Sequence, residues 1–88
     1  MSHGLRYSLR IKRSAEKEMD RLSTAVFDRI AEAILQLETD PRPHGSRKLR
    51  GTEEYRVRVG SYRILYTIDD DTRSVEIIAV GHRRDIYR

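Results

Sequence analysis

The stretch Tyr55-Arg56-Val57-Arg58-Val59-Gly60-Ser61-Tyr62-Arg63-Ile64-Leu65-Tyr66 reads as a β-hairpin. Apolar and cationic residues alternate through residues 55–59. Gly60-Ser61 interrupts them, and a β-rich run resumes. Glycine followed by a small residue between two such runs suits a two-residue type II′ turn. A two-residue loop sets the register: Val59 faces Tyr62, Arg58 faces Arg63, Val57 faces Ile64 and Tyr55 faces Tyr66. Successive side chains alternate between faces of a strand, so Arg56, Arg58 and Arg63 share one face. Like charges directly opposite each other are destabilising. Three guanidiniums gathered on a rigid hairpin therefore call for an anion, the alternative being a plain solvated cationic face.

Working outward, the strand before the hairpin's partner helices is Leu5-Arg6-Tyr7-Ser8-Leu9-Arg10-Ile11-Lys12, apolar at odd positions and polar at even ones. That is the pattern of a half-buried strand. Ser14 reads as a helix N-cap, with Glu16 in the first turn favourable to the helix dipole. Ala15, Met19 and Leu22 fall on one face of a short helix. Ser23-Thr24 breaks it and is suited to cap a second helix, in which Val26, Ile30, Ala33, Ile34 and Leu37 keep a helical period. Asp40-Pro41 ends it, because the residue before proline disfavours the α region. Residues 42–51 read as a loop or short irregular edge anchored by Leu49. Asp69-Asp70-Asp71-Thr72 is a polar turn. Residues 74–80 are β-rich with a near-continuous apolar centre, expected of a central strand covered on much of both faces.

The order is β-α-α-β-β-β. The expected fold is α+β: two N-terminal helices packed on one face of a small twisted, antiparallel-rich sheet. The helices would bury the face of Tyr55, Val57, Val59, Tyr62 and Ile64. Arg56, Arg58 and Arg63 would stand on the other. At 88 residues the expectation is one domain over 1–88, with residues 1–4 as a flexible tail.

Composition narrows the function. No stretch approaches the roughly 20 apolar residues of a membrane helix, and Met1-Ser2-His3-Gly4 lacks the apolar run of a signal peptide. There are no cysteines, which excludes disulfides and thiolate metal sites and fits a cytoplasmic setting. The formal net charge is +4, from 18 basic and 14 acidic residues. Fifteen of the basic residues are arginine, whose planar fork matches phosphate where lysine is a point charge. Between positions 42 and 63 there are seven basic residues against Glu53 and Glu54. A polyanionic partner, nucleic acid above all, is the reading this distribution favours.

The remaining candidates are weaker. His82 follows Gly81 at a strand end, and histidine is the side chain that titrates near neutrality. His44 lies in a loop and His3 in the tail. No His/Asp/Glu spacing suggests a metal site; Asp69-Asp70-Asp71 reads as a solvated turn before it reads as a cation site. There is no Walker loop, no dinucleotide-binding glycine pattern and no nucleophile elbow.

Three segments together, Lys48-Leu49-Arg50-Gly51, the hairpin, and Val80-Gly81-His82-Arg83-Arg84-Asp85-Ile86-Tyr87, resemble the RelE branch of the RelE/ParE toxin superfamily. Their order and the chain length match over nearly the whole sequence. The resemblance implies the toxin of a type II toxin–antitoxin pair that enters the ribosomal A site and cuts messenger RNA, without metal or cofactor. The ribose 2′-hydroxyl attacks the adjacent phosphodiester, leaving a 2′,3′-cyclic phosphate and a 5′-hydroxyl. Carried over by motif, Arg63 grips the scissile phosphate and Arg83 stabilises the transition state or assists the leaving group. Tyr87 stacks on and orients a nucleotide. Arg56 and Arg58 stand where well-known members carry lysines and complete the catalytic set. Lys48, Arg50, Arg84 and His82 are expected to bind RNA. A guanidinium effectively cannot deprotonate, so the general base stays open among His82, Tyr87 as a tyrosinate, Glu53, Glu54 and the ribosome. The implied partners are the ribosome with its message and a RelB-like antitoxin, in a hetero-oligomer away from membranes. Two alternatives remain: a ParE-like inhibitor of DNA gyrase without chemistry, and a catalytically weak paralogue that only binds RNA or antitoxin.

Overall fold

The structure is a computed structural model and describes residues 6–82. Strand β1 (Ser8–Ile11) leads into helices α1 (Arg13–Asp20) and α2 (Thr24–Gln36). Strands β2 (Arg47–Lys48), β3 (Glu54–Val59), β4 (Tyr62–Asp69) and β5 (Ser74–His82) follow. They form one sheet in the order β1-β5-β4-β3-β2, with β1 parallel to β5 and every other pair antiparallel. This is the expected α+β arrangement.

The hairpin has the register its alternation requires. Val59 pairs with Tyr62, Arg58 with Arg63, Val57 with Ile64 and Tyr55 with Tyr66. Gly60 has φ +61° and Ser61 does not share the left-handed region, which is the type II′ pattern. A built Cβ on Gly60 would stand 3.3 Å from Arg29 Nη2 of α2, so the turn is confined by a helix as well as by its own backbone.

One sheet face carries the helices. Ala15 and Met19 of α1, Ile30 and Ile34 of α2, and Leu37 just beyond it pack with Ile64, Tyr66, Val75, Ile77 and Val80. Tyr55, Val57, Val59 and Tyr62 are partly buried against that cluster, as the alternation demands.

Two local expectations are corrected. Ser14 is not the N-cap of α1. The helix starts at Arg13, and Lys12 occupies the cap position with extended backbone and no side-chain cap bond. Lys12 still belongs to the sheet: its N–H donates to the carbonyl of Ile77, while its own carbonyl accepts from Glu16 N–H. The strand therefore passes into the helix through Lys12 alone, which already holds the cap position, and Ser14 falls inside the first turn. Ser23 does cap α2, its Oγ accepting from Val26 N–H at 3.3 Å.

The apolar run of β5 also has a different cause from coverage on both faces. Tyr66 faces Ile77, yet Leu65 faces Ala79, so Ile78 is an extra residue in β5. This β-bulge resets the alternation, and Val75, Ile77 and Val80 all reach the same core. Past the end of β1, the exposed edge of β5 is capped by α1: Glu18 Oε1 accepts from Val80 N–H at 2.8 Å.

Candidate nucleic-acid interface

The face away from the helices is built by alternate residues of β2–β5. Partners directly opposite in an antiparallel pair project to the same side. Arg58 and Arg63 therefore stand side by side, with Gly81 next in the row. Glycine there leaves the flank of Arg63 without a side chain. The neighbouring row runs Arg47, Arg56, Leu65, Ala79. Leu65 is only 7% exposed and forms an apolar floor within it. Two opposed arginine pairs thus lie about two strand residues apart, roughly 7 Å.

Arg47 and Arg58 are exposed; Arg56 and Arg63 are half-buried. The Nε of Arg56 is shut off from solvent and has no hydrogen-bond partner among the described residues. A buried N–H without an acceptor costs about 1–3 kcal/mol, a cost an incoming anion would remove. Between the 44–45 turn and β3 a hollow of about 280 Å³ is lined by His44, Gly45, Arg47, Arg56, Val57 and Arg58.

Charge changes sign along this face. Beyond the arginines comes the row Glu54, Thr67, Glu76 and Arg10. Beside it Glu53, Asp69, Asp70 and Asp71 line a wider hollow. Glu54 is four residues from Arg58 along β3, roughly 13 Å. Neither Glu54 nor Glu53, on the turn before it, is within proton-transfer reach of a group held at Arg58 and Arg63. His82 pairs with Tyr62, its ring edge-on at 5.5 Å, on the helix-bearing side. It stands across the sheet from Arg63.

The Lys48-Leu49-Arg50-Gly51 segment forms the end of β2 and the turn into β3, with Gly51 at φ +77°. Lys48 pairs with Tyr55, on the opposite side from Arg56, and lies 3.7 Å from Glu53. Arg50 sits on the turn, at the acidic end. Arg83, Arg84 and Tyr87 lie outside the described residues. Of the residues singled out in the sequence, Arg56, Arg58 and Arg63 come together. Arg47, which was not, joins them because a two-residue strand sets it opposite Arg56.

The loop that carries His44 and leads into Arg47 of β2 is anchored from several sides. Tyr66 donates its hydroxyl to the Pro41 carbonyl at 2.7 Å in the interior. Burial pushes the Tyr66 hydroxyl pKa up to about 12. Arg42 donates to Asp70 at 2.9 Å and to the Tyr55 hydroxyl at 3.2 Å, and its guanidinium lies 5.3 Å from the centre of the Tyr55 ring. Tyr7 donates to the same Asp70 carboxylate at 2.6 Å. These bonds from Arg42 and Tyr7 hold the Asp70 carboxyl below its ordinary pKa, and the bond to Asp70 raises that of Tyr7.

The family model described as ParE toxin of the type II toxin–antitoxin system parDE matches residues 9–87. The chain belongs to the RelE/ParE toxin family. Within that family its relatives are named for the RelE side. The toxin RelG of Mycobacterium tuberculosis is 36% identical over 86 residues, covering 93% of this chain and 97% of that protein. Among solved structures, the toxin–antitoxin complex RelBE2 from Mycobacterium tuberculosis matches with a TM-score of 0.80 at 28% identity, over 89% of this chain and 99% of that one. The archaeal RelE–RelB complex from Pyrococcus horikoshii OT3 matches with a TM-score of 0.80 at 28% identity, over 90% and 97%. This RelE-type toxin has no described helix long and apolar enough to cross a membrane. Among its described residues no group of three or more His, Asp or Glu is arranged to hold a metal ion.

Proposed function

We propose that this toxin is a ribosome-dependent endoribonuclease that cuts messenger RNA in the A site, acting in the cytoplasm. The observation that carries this is the opposed pair Arg58 and Arg63 on the sheet face away from the helices, reinforced by the Arg56 Nε that lacks an acceptor among the described residues. In the reaction the 2′-oxygen bonds to phosphorus, the bond to the 5′-oxygen breaks, and the products are a 2′,3′-cyclic phosphate and a 5′-hydroxyl. The proton leaves the 2′-hydroxyl and one is delivered to the departing oxygen. Negative charge grows on the non-bridging oxygens in the transition state. Rigid guanidiniums aimed at them act where they need no reorganisation, each worth about 3 kcal/mol.

Arg63 is the phosphate grip, with Arg58 opposite and Arg56 beside it. Arg83 serves the transition state or leaving group, and Tyr87 stacks a nucleotide. Lys48, Arg50 and Arg84 add affinity for the RNA backbone. His82 enters as an RNA contact at the sheet end rather than as the base, given its side of the sheet. Arginines do not accept protons, and Glu53 and Glu54 are too distant. The proton therefore goes to Tyr87 or to a group of the ribosome. Dependence on the ribosome fits a site with so weak a base, because the ribosome can bring the 2′-oxygen into line with the leaving oxygen.

A RelB-like antitoxin is the expected partner, supported by the RelB–RelE complexes among its structural relatives. An acidic segment laid on the arginine pairs would suit it electrostatically. The ParE description of the matching family model keeps gyrase inhibition as the second reading.

One experiment separates them: translation reconstituted from purified ribosomes on a defined message, with ends mapped by primer extension and free RNA as control. Cuts inside the A-site codon only when ribosomes are present are expected. Intact message with folded toxin, together with loss of gyrase supercoiling, would replace the ribonuclease by the gyrase reading.

A further inference from the structure

The ribonuclease site as proposed needs one phosphate, yet the arginine face is built for more than one. The pair Arg47–Arg56 repeats the pair Arg58–Arg63 two residues along β3. That step of roughly 7 Å is of the order of the separation between successive phosphates of an extended nucleic acid strand. The second pair also has its own enclosure. The hollow between the 44–45 turn and β3 measures about 280 Å³ and is lined by His44, Gly45, Arg47, Arg56, Val57 and Arg58, ample for a phosphate group.

Two observations make this a seat and not merely a charged surface. Arg56 Nε is buried and lacks an acceptor among the described residues. And the loop is held in place from behind: Tyr66 fixes Pro41, and Asp70 and Tyr55 fix Arg42. A cation on a short strand whose incoming loop is tethered, as Arg47 is, loses less freedom when it binds. The like-charged pair Arg47–Arg56 is unfavourable while empty, and an anion between the two guanidiniums reverses that sign.

We propose that Arg47 and Arg56, with the turn at His44 and Gly45, form a second phosphate seat. It holds the phosphodiester adjacent to the one gripped at Arg58 and Arg63 on the same RNA strand. The proposal rests on the ribonuclease reading for its ligand class; it moves Arg56 from the scissile phosphate to the adjacent one, and it adds Arg47 as a binding residue that sets how many phosphates the face engages.

The test is equilibrium binding of the whole protein, without ribosomes, to two non-cleavable 2′-O-methyl RNAs: a dinucleoside monophosphate with one phosphodiester and a tetranucleotide with three. Binding is titrated over a range of salt. Arg47→Ala should weaken the tetranucleotide about tenfold, as for a hydrogen bond to a charged group, and lower its log–log salt slope by about 0.7, one phosphate contact on a single strand. The dinucleoside monophosphate should be unaffected. Arg47→Lys should restore the slope but not the full affinity, since a point charge replaces a fork. Equal loss on both RNAs, or no loss on either, would overturn the second seat while leaving the first. Failure of the wild-type protein to bind either RNA would overturn the seat; the ribonuclease reading, which draws on the ribosome, stands or falls separately on the reconstituted cleavage assay. Loss of binding to a polyglutamate peptide with RNA binding intact would overturn the seat in favour of a protein partner. Circular dichroism of Arg47→Ala guards the comparison; Arg47 is exposed on an edge strand.

Discussion

Replacing Arg63 by alanine tests the centre of the proposed site. Arg63 lies directly opposite Arg58, with Gly81 on its other flank, so no described neighbour in its row other than Arg58 can take over its charge. Loss of one preorganised donor to a transition-state oxyanion is worth about 3 kcal/mol, roughly 150-fold in rate at 1.36 kcal/mol per decade. The assay is single-turnover cleavage in the reconstituted ribosome system at saturating toxin, so that weakened binding does not pass for slowed chemistry. Arg58→Ala should give a loss of the same order. If the two guanidiniums hold one phosphate as a unit, the double variant should lose less than the product of the single losses. Arg63 is half-buried on the face away from the helices, so its removal should leave the protein folded at a cost of about 1 kcal/mol. A folded Arg63→Ala protein that cuts within threefold of wild type would refute the assignment. An unfolded one would show that the arginine serves the fold.

Three further outcomes follow from the scaffold. Tyr66→Phe deletes the buried bond to the Pro41 carbonyl; it should cost about 1–2 kcal/mol and lower Tm by roughly 5–15 °C in calorimetry, and an unchanged Tm would remove that anchor. Gly60→Ala forces φ +61° on a residue with a Cβ and crowds Arg29, so urea denaturation should read a loss of about 1–2 kcal/mol. Asp70 has a folded pKa below its ordinary 3.8, so its contribution is fully present above that value and is lost as pH falls through the lower folded pKa. Asp70→Asn should therefore lower Tm at neutral pH and converge with wild type in strong acid, and a constant gap down to pH 2 would contradict the linkage.

The hairpin register was legible because a strict period of two leaves only one arrangement around a glycine turn, and three of the site's four arginines came with it. The fourth was hidden. Arg47 sits in a strand of two residues, too short for any periodicity, and its place opposite Arg56 depends on the turn that follows it. The bulge at Ile78 was equally hidden, since an unbroken apolar run masks a change of phase. Ser14 misled because a capping residue type was present, while the deciding fact was a sheet hydrogen bond from Lys12 to a strand 65 positions later. The Arg42–Asp70–Tyr7 cluster joins residues 28 and 63 positions apart, a distance at which local pattern carries no information.

The doubled arginine rows also bear on how long the protein survives in a cell. Any polyanion that binds the folded chain and not the unfolded one deepens the native well by RT ln(1 + [L]/Kd), and the opposed pair Arg47–Arg56 makes the vacant face the costlier form. Proteases that act on transiently opened chains sample the population of the open state. On the proposed binding mode, a ligand that holds the folded form would lengthen the protein's lifetime against such proteases. Turnover of purified protein under limited proteolysis, with and without a polyanion, would then read how much of the face is occupied.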